Sequence, residues 1–308
     1  MKTCLVFALS ILVCGCGSKA TTDTEFLLGT FVEVTSSDPK AKTIVFQEVR
    51  RLEKLLNFYD ENSELSQLNA TSDLRVSPEL FELLEFSKKM HELTQGAFDP
   101  TVAPVAVLWK RAIKKEEMPK EDELQAARGL VGFDYVFLEE ATRRVRLLKS
   151  GSKLDLGAVA KGYAVQRAIE KLREANVASA LVNAGGNVYG LGRNGNKPWT
   201  VGIRDPRQSG RIVERVPLEN KGVATSGDYE QFFVFQNKRY SHIIDPKTGA
   251  PVDSGIASAT VIASDAKTAD ALATALVVLG EERGRQVLKN FPNAKARLID
   301  IHGKLREL

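Results

Sequence analysis

The side chains best suited to chemistry lie on either side of one predicted β-hairpin. Its strands are the apolar runs 232–235 and 239–244, joined by the polar turn Gln236-Asn237-Lys238. The segment 224–229 (ATSGDY) precedes it, and the segment 241–249 (SHIIDPKTG) begins in its second strand and contains one of only three histidines. Packing alone does not require hydroxyls, carboxylates and a histidine at strand ends, so this pattern is typical of a site.

Both polar segments also have a purely structural interpretation. Asp245-Pro246 and Thr248-Gly249 can form an ordinary turn, in which the Asp side chain bonds local backbone and Gly supplies a positive φ. His242 can be a half-buried strand residue whose hydrogen bonds are satisfied within the fold. Either segment taken alone leaves both interpretations open.

A second polar pair lies on the helix predicted to begin after Asp265. Asp270 and Thr274 are four residues apart, so a carboxylate and a hydroxyl lie on one helical face. Two hard oxygens placed this way form part of a shell for Mg²⁺, which prefers carboxylate, hydroxyl, carbonyl and water ligands. The alternative is that Thr274 bonds back to the helix while Asp270 is a first-turn charge.

Two glycine-containing segments could bind an anion. A helical pattern in the segment 154–177 begins beside Asp155, with Gly157 and Gly162 in its first turns, and small residues there let a phosphate approach free N–H groups. The alternative is a helix packed closely on a sheet, with Asp155 as its cap. Gly185-Gly186 ends a strand and forms either a nest of N–H groups or a tight turn.

The elements that must position these residues alternate between strands and helices, without repeats or low-complexity linkers. We expect an α+β fold: a single domain with mixed β-sheets flanked by helices, and the site between them. A polar turn is predicted over 57–66. The predicted strands are 30–35, 135–138, 145–148, 200–203, 256–263, 296–301 and 304–308, and the predicted helices are 41–58, 78–96, 154–177, 265–276 and 281–291.

The N-terminal segment has the pattern of a bacterial export signal. One lysine, an apolar run and small residues lead to Cys16, and residues 1–15 are too short to span a bilayer as a mature helix. The ending LVCGC resembles a lipobox, which implies that Cys16 is acylated. We therefore expect a signal peptide at 1–15, a lipid-anchored polar tether at 16–24 and a folded domain at 25–308.

Composition and failed motifs exclude several classes of protein. All three cysteines precede residue 17, so the domain has neither a disulfide nor a thiol nucleophile. A net charge of +4 gives no reason to expect nucleic acid as a partner. Residues 190–195 match GxGxxG, but a strand follows where a dinucleotide-binding helix is required. His91-Glu92 begins a zincin pattern whose second histidine is replaced by Gln95.

The ordered set of motifs, taken together, resembles the ApbE family of FAD:protein FMN transferases. The resemblance runs from Leu27 to the helix that contains Asp270, nearly the whole mature length. The motifs that carry it are Tyr59 with SELS at 63–66, GAFDPT at 96–101, DLGAVAKG at 155–162, NAGG at 183–186, ATSGD at 224–228, SHIIDPKTG at 241–249 and ADALAT at 269–274.

The resemblance implies Mg²⁺-dependent transfer of FMN from FAD to a threonine hydroxyl of an acceptor protein, with release of AMP. It implies that Asp270, Thr274 and the backbone carbonyl of Ala158 hold the metal. The family usually has Met where this chain has Leu28, and some relatives carry an acid where it has Lys161. The family's FAD-contacting positions correspond to Leu28, Tyr59, Ala97, Phe98, Asp99, Asp155, Lys161 and Ile244.

A threonine hydroxyl is a poor nucleophile at neutral pH, so transfer needs a group that accepts its proton. His242 is the one histidine inside a motif, and we predict that it is the base; the alternative is that it bonds a flavin phosphate or orders its loop. Asp245, Ser226 and Asp228 are predicted to lie beside or opposite it.

An exported, anchored enzyme suits acceptors outside the cytoplasm. The family's partners are subunits of membrane redox pumps such as the Na⁺-translocating NADH:quinone oxidoreductase, so we expect the inner membrane on its periplasmic side. The outer membrane is the open alternative, because Gly17 carries no strong retention signal. Two other functions remain open. One is a periplasmic FAD pyrophosphatase that uses the same site with water as acceptor, and the other is a non-catalytic flavin-binding lipoprotein.

Overall fold

The computed structural model describes residues 20–308, and within them the chain forms an α+β fold. The helices are α1 Lys40–Leu56, α2 Glu64–Thr71, α3 Pro78–Leu93, α4 Ala103–Lys115, α5 Glu121–Arg128, α6 Ala160–Glu174 and α7 Ala266–Leu288. The strands are β1 Thr21–Leu27, β2 Thr30–Ser36, β3 Asp73–Arg75, β4 Val136–Glu139, β5 Arg144–Leu147, β6 Ala180–Ala184, β7 Asn187–Leu191, β8 Trp199–Arg204, β9 Ile212–Leu218, β10 Lys221–Gly227, β11 Phe232–Phe235, β12 Lys238–Ser241, β13 Ile244–Asp245, β14 Ala250–Pro251, β15 Ile256–Ala263, β16 Lys295–Asp300 and β17 Leu305–Glu307.

The main sheet has eight strands in the order β1-β2-β6-β7-β10-β15-β16-β17. Every described pairing in it is antiparallel, so the expected mixed sheets are not mixed in strand direction. For two of the pairings the connections give the physical reason: β1 and β2, and β6 and β7, are joined by two-residue turns, which permit antiparallel pairing only.

The two faces of the main sheet are covered by different elements. Helices α1, α6 and α7 pack on one face, and Val45, Tyr163 and Leu276 are fully buried there. The β8–β9 hairpin covers the other face, where Trp199 and Leu218 are buried in a smaller cluster. Burial of apolar surface on both faces of the sheet makes this body the stable scaffold for the loops at its edge.

A third apolar cluster joins α4 to the β11–β12 hairpin. Trp109 of α4 stacks near Tyr240, with ring centres 5.8 Å apart, and Phe233 lies 5.2 Å from the same tyrosine. The Trp109 indole N–H donates to the Gly249 carbonyl at 2.9 Å. These contacts hold the segment 242–249 against α4, opposite the end of the main sheet.

Most predicted elements are confirmed, including β2, β15 and the closing β16–β17 hairpin. Helix α7 runs as one element but is broken at Gly280, whose φ is +74°, so the prediction of two helices divided near residue 280 is confirmed. The central hairpin is confirmed, with a turn of two residues rather than three, because Lys238 belongs to β12. Gln236 and Asn237 both have positive φ, as such a turn requires.

Several boundaries differ from the sequence predictions. The predicted turn over 57–66 contains the start of α2, which Ser63 caps by accepting the N–H of Ser66. Helix α6 begins at Ala160, later than predicted, so Gly157 precedes it. Asp155 does not cap it. Strand β1 begins at Thr21, inside the predicted tether, because its backbone pairs with β2.

The contact between α6 and α7 depends on Gly162. A Cβ atom at this position would lie 2.5 Å from the Ala266 carbonyl oxygen and 2.6 Å from Cβ of Asp270. We expect Gly162→Ala to lower the free energy of unfolding by about 2 kcal/mol, because the helices must separate. Thermal unfolding measures this change. Gly129→Ala is the matched control, since a Cβ there meets its nearest atom at an ordinary 3.4 Å, and an equal loss of stability in both variants would contradict the interpretation.

Candidate active site

A cavity of about 570 Å³ opens where the end of the main sheet meets α4 and the segment 242–246. Its volume is in the range of small-molecule and cofactor sites. The family's FAD-contacting positions, the expected metal ligands and the predicted base all line this cavity: Leu28, Tyr59, Ala97, Phe98, Asp99, Asp155, Ala158, Lys161, His242, Ile244, Asp270 and Thr274. Cys16 lies outside the described residues.

Asp270 and Thr274 form one corner of the cavity. The Asp270 carboxylate accepts the N–H of Gly162 at 2.8 Å, so a residue of α7 caps the first turn of α6. Thr274 does not bond back to its own helix among the described contacts; its hydroxyl lies 3.0 Å from the Ser226 hydroxyl of β10. The pair therefore faces the cavity and the neighbouring strand.

The electrostatics of this corner fit a divalent cation. Asp270 is only 4 % exposed, and burial raises its pKa to about 6, while Lys161 and the Gly162 N–H act in the opposite direction. A buried carboxylate with so little compensation is costly to ionise unless a cation lies beside it. With Ala158 on the same wall, the corner offers hard oxygens of the kinds that Mg²⁺ accepts.

The cavity lining as a whole is acidic. Within residues 20–308 there is no cluster of three or more His, Cys, Asp or Glu side chains arranged to hold a metal, so other ligands would have to come from neutral oxygens, water or substrate. The lining nevertheless carries five carboxylates against two lysines: Glu53, Asp99, Asp155, Glu230 and Asp270 against Lys110 and Lys161. A diphosphate would be repelled from such a lining unless a cation accompanied it.

His242 is held in one orientation by the backbone of Gln231. Its Nδ1 lies 3.2 Å from the Gln231 carbonyl oxygen, which also accepts the His242 backbone N–H at 2.9 Å. With the proton on Nδ1, the lone pair of Nε2 is free to accept another proton. Burial lowers the pKa of His242, Lys110 and Lys161 lower it further, and the Gln231 hydrogen bond opposes them. The imidazole is therefore neutral near pH 7.

Of the three residues predicted around His242, only Ser226 lines the cavity. Asp245 makes a local turn instead, in which its carboxylate accepts the Lys247 N–H at 2.8 Å. Asp228 is bound by both guanidinium nitrogens of Arg207 at 2.8 Å, and Arg239 lies 3.8 Å away. The structural interpretation was therefore correct for both carboxylates, because each already has a partner.

Leu28 reaches the cavity through an unusual backbone conformation. It has a φ of +55° in the β1–β2 turn, where a bulky residue is rare, and its N–H donates to Glu53 of α1 at 2.8 Å. The β6–β7 turn lies at the same end of the sheet, with φ of +57° at Gly185 and +90° at Gly186. The double glycine thus makes a tight hairpin turn.

The segment 97–100 forms one wall of the cavity. Phe98 is only 2 % exposed, and its N–H donates to the Thr94 hydroxyl. Asp99 accepts the N–H of Thr101 at 2.8 Å and lies 3.3 Å from Nδ1 of His91. Burial works to lower the pKa of His91, but Asp99, the Phe98 backbone and Asp134 together outweigh it and leave the pKa raised.

Three charged residues of the lining were missed by the sequence analysis: Glu53, Lys110 and Glu230. Lys110 projects from α4, and the only signal for it was its spacing of four residues from Ala106 and eight from Val102, which also line the cavity. Glu230 is exposed to solvent. The pKa of its carboxyl is nevertheless raised, because the surrounding protein partly desolvates it and Asp270 adds to this effect, while Lys161 opposes it.

Comparison with known proteins identifies the family. The model of the ApbE family matches residues 28–298, so the chain belongs to that family. It is 34 % identical to a Haemophilus influenzae protein named FAD:protein FMN transferase, over 82 % of this chain and 77 % of the relative. A Treponema pallidum protein with the same name is 33 % identical over 97 % and 92 % of the two chains.

Solved structures agree with this assignment and with the single-domain α+β fold. The ApbE protein from Thermotoga maritima aligns with a TM-score of 0.85 and 34 % identity, covering 94 % of this chain and 97 % of that one. The flavin transferase ApbE from Vibrio cholerae aligns with a TM-score of 0.81 and 28 % identity, with the same coverage.

Proposed function

We propose that this protein transfers FMN from FAD to a threonine hydroxyl of an acceptor protein and releases AMP. The threonine oxygen attacks the phosphorus atom of the FMN half, a new phosphoester bond forms, and the bond from that phosphorus to the oxygen bridging to AMP breaks. The threonine proton leaves and the AMP phosphate takes the electron pair of the broken bond. Relatives named FAD:protein FMN transferase support the flavin transfer.

The observation that carries the proposal is the presence of His242 and the Asp270–Thr274 corner on one cavity. His242 has Nε2 free and is neutral near pH 7, which suits a base that accepts the threonine proton. Tyr59, 71 % exposed at the cavity mouth, offers a face to a flat heterocycle. Lys161 donates to the Gly157 carbonyl at 3.1 Å and so supports the loop before α6.

We further propose that Asp270, Thr274 and the Ala158 carbonyl hold Mg²⁺. When bound, the cation supplies positive charge against the diphosphate in a lining that otherwise repels it. Asp270 orients the first turn of α6 through its hydrogen bond with the Gly162 N–H. Ser226 keeps the Thr274 side chain directed towards the cavity rather than its own helix.

One assay tests the proposed function directly. The protein is incubated with FAD, Mg²⁺ and a candidate acceptor subunit of a membrane redox pump, and the acceptor is examined by in-gel flavin fluorescence and mass spectrometry. We expect flavin fluorescence on the acceptor, FMN attached to a threonine, and one AMP for each FMN transferred. Replacing that threonine with valine in the acceptor is the control, and it should abolish the fluorescence.

The same assay distinguishes the two other functions. Release of AMP and free FMN at the same rate without any acceptor would identify an FAD pyrophosphatase. Bound FAD that survives Mg²⁺ and acceptor unchanged would identify a flavin-binding protein without catalysis. Either result would overturn the proposed transfer.

We also propose that the protein is exported and anchored by a lipid on Cys16, at the periplasmic side of the inner membrane. Within residues 20–308 no helix is long and apolar enough to cross a bilayer. We expect Cys16→Ser to move the protein from the membrane fraction to the soluble fraction without changing transfer activity. Fractionation of cells and immunoblotting measure this, and a variant that stays in the membrane fraction would contradict the anchor.

A further inference from the structure

Lys110 lies in the candidate active site although none of the motifs contains it. Val102, Ala106 and Lys110 follow one another at intervals of four residues, and all three line the cavity. This stripe places one face of α4 along the cavity wall. The next lysine on the helix, Lys114, is exposed to solvent. Lys110 is thus the cation that α4 directs into the site.

The Lys110 ammonium group connects α4 to two loops. Its Nζ lies 3.0 Å from one oxygen of Asp155 and 5.2 Å from the centre of the Tyr59 ring. The other oxygen of Asp155 accepts the Gly157 N–H at 2.8 Å. Burial works to lower the pKa of Lys110, but Asp155 and Tyr59 outweigh it and leave the pKa raised, so the group stays charged.

Tyr59 needs such a support. Its side chain is 71 % exposed, and apart from Lys110 its ring forms a T-shaped pair with Phe58, with centres 5.2 Å apart and planes at 82°. An exposed aromatic side chain on a loop loses rotamer freedom when a ligand stacks on it, and this loss weakens binding. A cation held against one face of the ring already restricts its rotamers in the free protein, so less rotamer freedom is lost when the ligand binds.

We propose that Lys110 is a positioning residue that holds Tyr59 and Asp155 in place for a flat heterocycle of FAD. This inference rests on the proposed function, because it takes FAD as the ligand of the cavity. The Lys110 charge is already matched by Asp155 and by the Tyr59 ring. It therefore acts through those two residues rather than by neutralising the diphosphate.

The test is FAD binding to the full chain by titration calorimetry, with Mg²⁺ present and no acceptor protein, so that no transfer occurs. We expect Lys110→Met to raise the Kd for FAD about tenfold. Riboflavin and adenosine, which carry no phosphate, identify the stacked ring: one of the two should lose affinity by the same factor. A loss confined to FAD, with riboflavin and adenosine unaffected, would show direct action on the diphosphate and overturn the proposal.

Three further measurements separate positioning from a general structural effect. Lys110→Arg should keep the Kd within about threefold of the unmodified protein, because a guanidinium also binds a carboxylate and an aromatic face. Lys114→Met, on the same helix, should leave the Kd unchanged. Adding Lys110→Met to Tyr59→Ala should have no additional effect, whereas two independent, additive losses would overturn the proposal.

The kcat of Lys110→Met also tests whether Lys110 acts on binding alone. At saturating FAD the kcat of Lys110→Met should stay within about threefold of the unmodified protein, because the affected step is binding. A large fall in kcat with an unchanged Kd would overturn the inference. If the unmodified protein itself fails to bind FAD, the proposed function fails, and that result is distinct from all of these.

Discussion

Asp270→Asn is expected to reduce FMN transfer at least ~10³-fold, while FAD still binds. The substitution keeps the shape of the side chain and an oxygen for the Gly162 N–H, but it removes the only formal charge assigned to the Mg²⁺ shell. Transfer at several Mg²⁺ concentrations, together with FAD binding, measures the effect. Asp270→Ala should show the same loss. Normal Mg²⁺-dependent turnover in either variant would show that the assigned ligands are wrong.

Thr274→Val tests the second side chain proposed to hold Mg²⁺. A hydroxyl is a weaker ligand than a carboxylate, so we expect a smaller loss of roughly 10- to 100-fold. The valine also leaves the Ser226 hydroxyl without its partner at 3.0 Å. A Thr274 variant more impaired than the Asp270 variants would reverse the assigned order of the ligands.

Stability of the metal-free protein gives a second, independent result for Asp270→Asn. Burial raises the folded-state pKa of Asp270 from 3.8 to about 6, so in the absence of metal this carboxyl opposes folding increasingly as pH rises between those values. Asp270→Asn should therefore raise the Tm at pH 8 in the presence of a chelator and leave it nearly unchanged at pH 3.5. A lower Tm at pH 8 would contradict the account of Asp270 as a buried, uncompensated charge.

His242→Asn is expected to lower transfer by roughly 10² to 10⁴ while FAD affinity stays within a few-fold. The Asn side chain can keep a hydrogen bond with the Gln231 carbonyl, but it has no basic nitrogen with which to accept the threonine proton. Single-turnover transfer and FAD binding, measured on the same preparation, separate these two effects. A loss of FAD affinity comparable to the loss of transfer would favour the alternative that His242 bonds a flavin phosphate.

The pH profile tests the same role by a different observable. A base works when it is unprotonated, and burial with Lys110 and Lys161 lowers the pKa of His242 below its ordinary 6.5. The acidic limb of transfer should therefore lie below pH 6.5 in the unmodified protein and disappear in His242→Asn. His302→Asn, at an exposed residue, is the control and should keep that limb. An unchanged profile in the His242 variant would mean that the proton leaves by another route.

The sequence determined those features that depend on local chemistry. Alternating and helical apolar patterns located β2, α1 and α3, and the cap at Asp265 located the start of α7, because each signal lies within its own element. The spacing of Asp270 and Thr274 placed both on one helical face for the same reason. The resemblance of seven ordered motifs then identified the family, to which the match over residues 28–298 assigns the chain.

The tertiary structure alone decided which polar groups are free for function. Asp245 and Asp228 looked equivalent to the site residues in the sequence. In the structure the Asp245 carboxylate accepts a hydrogen bond within a local turn, and the Asp228 carboxylate is bound by Arg207. Lys110 belongs to none of the sequence motifs, yet the docking of α4 directs it to Asp155, 45 residues away in the chain. Burial and long-range pairing determine whether a polar side chain is charged and whether it already has a partner. Burial and such pairing arise only when distant segments pack together.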